Sequence, residues 1–453
     1  MNANVNKHPL FYRQIFSLTM PIVIQNLLSA AVSSADVIML NSVGQSAISA
    51  VSLASQYSSV LFMFFFGLGT GATMLSAQYW GKKDVHAIEL VEGIALRFSI
   101  IVSTLFALCA LTIPELMMRL FTNDTELISL GVPYLRVVCF SYIFWSISEI
   151  YLASLRSVER VSISTALNAL ALVLNVILNA VFIFGLLGAP KLGVTGVALA
   201  TSISRGIQLI CCIAVSHFSK NVKLRFSYIF VRNKVLFQDF LKLSIPAVAN
   251  DLVWSTAFSM YSVILGHMGT DIVAANSIVV VVRNFATVFC YGFAGASTIW
   301  LGKQIGQNDM EGARRDSKRL MVLTLIAGAV GGVIVLSISP FVLKNASLTS
   351  QAMHYLKYML LMNSYYIMGI SVNSLLISGV FRAGGDSRFG FICDTIDMWC
   401  YAVPLGFFSA FVLKLPPLWV YFLLCTDEFV KWPWVIKHFR SYKWLNNITK
   451  EYE

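Results

Sequence analysis

The sequence predicts an all-α polytopic membrane protein, with twelve transmembrane helices in two parallel-repeat lobes of six. Three observations predict it. The chain is 57% hydrophobic and only 12% charged, whereas a soluble domain carries about 25% charged residues. Its apolar residues come in unbroken runs: 100–113, 166–187 and 321–340 hold no Asp, Glu, Lys or Arg. Finally, the chain repeats itself at a fixed offset.

The runs exclude a soluble fold. About 20 apolar residues span the hydrocarbon core as a helix. Lipid offers the backbone no hydrogen-bond partner, so only helices and closed barrels cross it. The ten-residue alternating segments of a barrel are absent. Spans fall at 14–40, 49–77, 95–113, 130–154, 163–187, 193–217, 239–267, 274–300, 319–341, 351–378, 389–412 and 416–436. The first run is too long for the apolar core of a signal peptide and has no small-residue cleavage site after it, so it reads as span 1. Asp427, Glu428 and Lys431 interrupt the last span, and both acids are expected at the membrane interface.

The net charge of +11 is a topology signal. Of the 33 Lys and Arg residues, 25 lie at the N-terminus, in every second connection and in the C-terminal tail. This group includes Lys7, Lys220, Arg382 and Lys431. The alternate connections hold only Arg119, Lys191, Lys344 and Lys414. Positive residues are retained on the cytosolic side, so both termini are expected there and the number of spans is even. Nucleic-acid binding is not needed to explain the charge. The eight cysteines, Cys109 to Cys425, sit in apolar segments without metal-type spacing, and the six histidines are scattered. They read as packing residues, with no disulfide, metal centre or cofactor.

The repeat has an offset of 225 residues. Pro21 then meets Pro246, Gly44 meets Gly269, Gly67 meets Gly292, Thr73 meets Thr298, Gly81 meets Gly306 and Asp84 meets Asp309. At an offset of 226, Arg156 meets Arg382. Six spans separate the copies, so both have the same orientation, and parallel repeats of this kind place a binding site between the halves in transporters. The expected organisation is an N-terminal lobe over 1–217, a linker over 218–238, a C-terminal lobe over 239–438 and a tail over 439–453. Pro21 and Pro246, inside spans 1 and 7, each remove a helix hydrogen bond. They are candidate hinges, or static kinks.

Ionisable groups at membrane depth are costly and mark candidate sites. Asp36 lies in span 1, Glu149 in span 4, Asp251 in span 7, and Asp394 and Asp397 in span 11. A carboxylate there can take up and release a proton, or hold a sodium ion among other oxygens. The structural alternative is an ion pair with an intramembrane arginine such as Arg283. In span 5, Asn175 and Asn179 are four residues apart and share a face; the spacing alone slightly favours ordinary interhelical hydrogen bonding. No GxxxxGK[ST] loop exists for ATP, and no catalytic cluster suggests an enzyme.

Several segments together resemble the multidrug and toxic compound extrusion (MATE) transporters. They are Leu18-Thr19-Met20-Pro21 followed by Asp36 and Gly44; Gly67-Leu68-Gly69-Thr70-Gly71 leading to Gln78-Tyr79-Trp80-Gly81; and Leu174-Asn175-Val176-Ile177-Leu178-Asn179 leading to Phe182-Ile183-Phe184-Gly185. Residues 192–201 follow, then Ile245-Pro246 with Asn250-Asp251, then 382–387, then Pro404-Leu405. The resemblance implies an antiporter that exports cationic or amphiphilic small molecules in exchange for sodium or protons, by alternating access between two lobes. It places ion coupling on Asp36, Asn175, Asn179 and Thr201, and in the second lobe on Asp251. Asn179 departs from the aspartate of many members. In some members the second-lobe acid lies a turn later, where this chain has Trp254, and no acid occurs between Gln351 and Val380. Trp254, Arg283, Asp397 and Glu149 are further candidates for a substrate or ion cavity. The expected setting is a bacterial inner membrane, with lipids as surroundings, no nucleic-acid partner and a monomeric protein. A lipid-linked precursor flippase is the main alternative; it would need a cavity rich in Arg and Lys, and only Arg136, Arg205, Arg283 and Lys357 fall inside spans. A multispan membrane enzyme is the other.

Overall fold

Apolar stripes on the outside, polar side chains within: the computed structural model of the chain has the inverted surface of a protein solvated by lipid. It describes residues 8–41, 43–219, 221–346 and 348–452. Lys7 and Lys220 lie outside the described residues. On α3, Ile101, Leu105 and Leu108 are all exposed, as are Val322, Ile326, Val330 and Val333 on α9. Each set recurs at three- or four-residue intervals, so it forms one continuous helix face.

Twelve long helical segments follow one another among the described residues, with the short helix Pro114–Arg119 and the turns Leu186–Gly188 and Phe226–Ile229 in their connections. The first six are α1 (His8–Asn41), α2 (Gln45–Gly81), α3 (Val85–Thr112), α4 (Thr125–Ser157), α5 (Val161–Phe184) and α6 (Gly193–Phe218). The second six are α7 (Lys234–Gly266), α8 (Thr270–Gly306), α9 (Met310–Asn345), α10 (Ser350–Phe381), α11 (Ser387–Val412) and α12, which is built from Pro417–Leu424, Asp427–Val430 and Trp432–Ser441. Ten of them are long and apolar enough to cross a membrane. The other two are α7, which carries Ser244, Asn250 and Asp251 through its middle, and α12, whose breaks coincide with its charged residues.

The repeat is visible in local geometry. Gly44 precedes α2 with φ 133° and Gly269 precedes α8 with φ 129°, a backbone that side-chain-bearing residues rarely adopt. Asp84 caps α3 by accepting from the Ala87 N–H at 2.9 Å, and Asp309 caps α9 by accepting from the Gly312 N–H at 2.9 Å. Each cap contributes about 1 kcal/mol.

The chain forms two compact units. One comprises Ile24–Val248 with Lys450–Glu453; the other comprises Met1–Val23 with Ala249–Thr449. Both crossings fall two residues after a proline, Pro21 or Pro246. The sequence division at the 218–238 linker is therefore not where the compact units divide. The first unit closes around Leu61, Phe65, Tyr134, Leu135, Tyr142 and Val197. Within it α4 packs on α2, α3 and α6. In the second, α10 takes the same place, packing on α8 and α9. Its core includes Phe11, Ile15, Leu301, Phe381 and Trp444.

The start of α7 is held in the first unit by close approach to the glycines of α2. A Cβ on Gly67 would lie 2.8 Å from the Val248 Cα, and one on Gly71 would lie 2.8 Å from the Ser244 Cα. These are backbone contacts that no rotamer change relieves. Gly71→Val is therefore expected to destabilise the protein by the cost of overpacking, about 1–3 kcal/mol. A lower thermal unfolding midpoint in detergent checks it; an unchanged midpoint would mean that α2 and α7 are not packed this closely.

The second unit has a feature that the first lacks among the described residues. Ser374–Phe381, Thr395–Ala402 and Phe408–Val412 are π-helical. Such wider turns often mark functional sites, and here two of them adjoin buried charged residues.

Candidate functional site

In the first unit, α1, α5 and α6 bring four sequence-predicted residues together. Asn179 Nδ2 donates to Asp36 Oδ1 at 2.8 Å and to Asn175 Oδ1 at 3.3 Å. Asn175 Nδ2 donates to Thr201 Oγ1 at 3.1 Å, and Thr201 Oγ1 donates to the Val197 carbonyl at 2.9 Å. The four-residue spacing on α5 makes this relay. It aims two amides along one face, so that α1 meets the first and α6 the second.

The donors diverge from Asn179, toward Asp36 on one side and through Asn175 and Thr201 to the Val197 carbonyl on the other. The buried Asn179 Oδ1 is left with no donor. Among the described residues, no Lys, Arg or His forms an ion pair with Asp36. A half-buried carboxylate beside an unsatisfied amide oxygen is a site short of positive charge. A proton on Asp36 would satisfy it, and so would a sodium ion held by these oxygens.

The other candidate of this unit is already paired. Glu149 Oε1 accepts from Arg156 Nη2 at 3.1 Å along α4. Arg205 is not free either: its guanidinium lies 4.6 Å from the Trp145 ring centroid and donates to Gln208 Oε1 at 2.9 Å. These arginines are committed to side chains of their own unit, which is not the arrangement of a phosphate-binding wall.

In the second unit, the acid predicted on α7 has a partner. Asp251 Oδ1 accepts from Arg382 Nη2 at 2.8 Å. The same Nη2 reaches Asn250 Oδ1 at 3.2 Å, and Asn250 Nδ2 donates to Asp394 Oδ2 at 2.7 Å. The expected alternative partner, Arg283, is placed elsewhere. Its guanidinium sits 5.5 Å from the Phe258 ring and 5.8 Å from the Tyr366 ring. Trp254 packs against Phe258 at 4.4 Å and takes no part in the ionic network.

The structure also corrects the reading of the last span. Asp427 and Glu428 are buried within the protein, and so are Lys431 and Arg382, which the sequence places in the tail and in a connecting loop. Lys431 Nζ lies 3.2 Å from Asp394, 3.4 Å from Glu428 and 3.7 Å from Asp397. Asp427 accepts from the Tyr261 hydroxyl at 2.8 Å and the Tyr366 hydroxyl at 3.3 Å. Asn373 Nδ2 donates to Glu428 Oε2 at 2.6 Å. Sequence reasoning missed Asn373, Tyr261 and Tyr366. One signal for the network was present: opposite charges within a single apolar span must find partners.

Ten helices apolar enough to cross a membrane, two repeated lobes and carboxylates within the bundles define a membrane transporter. The MatE family model matches residues 21–181 and 246–408. The chain belongs to the MatE family, whose members are transporters and not enzymes.

Relatives match along almost the whole length. The uncharacterized transporter YisQ of Bacillus subtilis (strain 168) is 23% identical, over 95% of this chain and 94% of its own. A probable multidrug resistance protein NorM of Thermotoga maritima is 22% identical, over 98% of this chain and 96% of its own. Among solved structures, a MATE protein in the straight conformation superposes with a TM-score of 0.85 at 18% identity, covering 95% of this chain and 96% of that one. A MOP-superfamily transporter from Pyrococcus furiosus, for which a reversed pocket polarity is described, gives 0.83 at 19% identity over the same shares.

Proposed function

We propose that the protein exports cationic or amphiphilic small molecules in exchange for protons or sodium ions, by alternating access. Membership of a multidrug efflux family supports the substrate class and direction. One observation carries the ion coupling: Asp36, which accepts from Asn179 at the near end of the group formed with Asn175 and Thr201, forms no ion pair with a Lys, Arg or His among the described residues. An ion bound there is shared with a helix that contains Pro21 and passes from one compact unit to the other. Binding energy that differs between two states of that helix is what a gradient needs to drive a conformational change. Pro246 on α7 has the equivalent position and would serve as the second hinge. Acidic and aromatic side chains, among them Trp254, favour a cationic amphiphile through charge and ring contacts.

The setting that goes with this reading is a bacterial plasma membrane, with both termini cytoplasmic and the protein acting as a monomer among lipids. The burial of Arg382 and Lys431 removes two cations from the loop count without changing its sign.

The test uses purified protein in lipid vesicles with a cationic fluorescent dye. Dye should move against its gradient when a proton or a sodium gradient is imposed, and not without one. Movement of lipid between leaflets, with no dye transport under either gradient, would replace this reading by that of a flippase.

A further inference from the structure

The charged network of the second unit does not balance. Asp394, Asp397, Asp427 and Glu428 are all buried, and the cation among them is Lys431. The neighbouring Arg382 is engaged by Asp251. Burying an ion in a low-dielectric interior costs several kcal/mol unless it is paired and hydrogen-bonded. Four carboxylates around one ammonium cannot all meet that condition as anions.

The hydrogen bonds single out the member that fails. Asp394 has Lys431 and the Asn250 amide. Asp427 has two tyrosine hydroxyls and the Glu428 N–H. Glu428 has the Asn373 amide and Lys431. Among the described residues, Asp397 has only the Lys431 ammonium at 3.7 Å, too long for a hydrogen bond, and neither carboxylate oxygen has a donor. Its side chain is fully enclosed on a π-helical segment of α11.

We propose that Asp397 is a proton-binding site of the second lobe, carrying the proton on a carboxylate oxygen beside Lys431. The geometry favours a proton over a metal ion. Lys431 already fills the position between the carboxylates that a sodium ion would need. Among the described residues, no group of three or more His, Cys, Asp or Glu side chains is placed to hold a metal. The titratable and charged groups that face Asp397 are Lys431, Asp427 and Glu428 on α12, Tyr261 on α7, and Asp394 on α11 itself. Tyr366 on α10 reaches the network through Asp427. Arg283 and Tyr291 on α8 stand behind it, against Tyr366 and Glu428. None of them donates a hydrogen bond to Asp397. The site shares Asp394, and through it Asn250 and Asp251, with α7, the helix of Pro246. A proton gained or lost there therefore changes the charge next to a helix proposed to move. That consequence rests on the exporter reading, but the proton itself does not.

Infrared spectroscopy of the purified full-length protein separates the two. A protonated carboxyl absorbs apart from a carboxylate, and its band shifts in heavy water. The wild-type protein at neutral pH should show such a band, and Asp397→Asn should lower its intensity by the contribution of one carboxyl. If Asp397→Asn does not fold, Asp397→Glu carries the test, because it keeps the proton and should shift the band. The proposal is overturned if the wild type has no such band, if Asp397→Asn keeps it at full intensity, or if a folded Asp397→Glu leaves it unmoved. It is also overturned if adding sodium at constant pH abolishes the band, which would mean a sodium site. None of these outcomes depends on transport, so a protein that moves no dye can still carry this proton, and the reverse.

Discussion

Replacing Asp36 by asparagine should abolish gradient-driven dye efflux while leaving the protein folded. The substitution is nearly isosteric. Asn179 Nδ2, now 2.8 Å from Asp36 Oδ1, keeps an acceptor in the new side-chain carbonyl. Stability should therefore change by no more than the worth of one neutral hydrogen bond, about 1 kcal/mol. What disappears is the negative charge, and with it the ability to take up a proton or hold a sodium ion. An ion that no longer binds can transmit no energy from its gradient. Efflux should fall about tenfold or more, equivalent to about 1.4 kcal/mol of lost differential binding. The check is the vesicle assay run beside a thermal melt of the same preparation. Full efflux by a well-folded Asp36→Asn protein would remove Asp36 from the coupling site. Thr201 provides a graded control, because it meets the relay at its far end through Asn175 and not at the carboxylate.

The first-lobe site was legible because it rests on local rules. Asn175 and Asn179 share a face by helix geometry alone, and an acid in an apolar span announces itself. The ion-coupling role given to Asn175, Asn179 and Thr201 needed the family resemblance. The repeat was legible for a similar reason. Gly44 and Gly269 hold backbone angles that require glycine, so the sequence at those positions could not drift apart without breaking the turn.

The second-lobe network was not legible in the same way. Arg382 stands in a basic, glycine-rich segment that hydropathy assigns to a loop, and its burial comes from α10 continuing as a π-helix up to Phe381. Lys431 and Glu428 sit one turn apart on a span too polar and too broken to score as a membrane helix. Nothing in one-dimensional hydropathy says whether such a span ends at the interface or folds its charges inward. That choice is made by the partners, which lie on α7, α10 and α11. The exchange of helix halves near Pro21 and Pro246 is hidden for the same reason. Proline marks where a helix can bend, but not which bundle receives each half.

Lys431 should be the residue of that network that the fold can least spare. Its ammonium lies between 3.2 and 3.7 Å from Asp394, Glu428 and Asp397, and its side chain is 2% exposed. Lys431→Met keeps the length and apolar bulk of the side chain, so packing loss is small. It removes the one cation among four buried carboxylates, and a broken buried pair costs about 3–5 kcal/mol. The variant should therefore unfold far below the wild type in detergent, or fail to yield folded protein. Asp394 gives the decisive comparison, since it makes the shortest contact with Lys431. Adding Asp394→Asn to Lys431→Met deletes an anion that has lost its partner, while the new side-chain carbonyl still accepts from the Asn250 amide. The double variant should then be more stable than Lys431→Met alone. A double-mutant cycle should return a coupling energy within the range of about 0.5–3 kcal/mol seen for residues in contact. Additive losses would mean that the ammonium and the Asp394 carboxylate do not share a buried site. A Lys431→Met protein as stable as the wild type would mean that the four carboxylates do not need its charge.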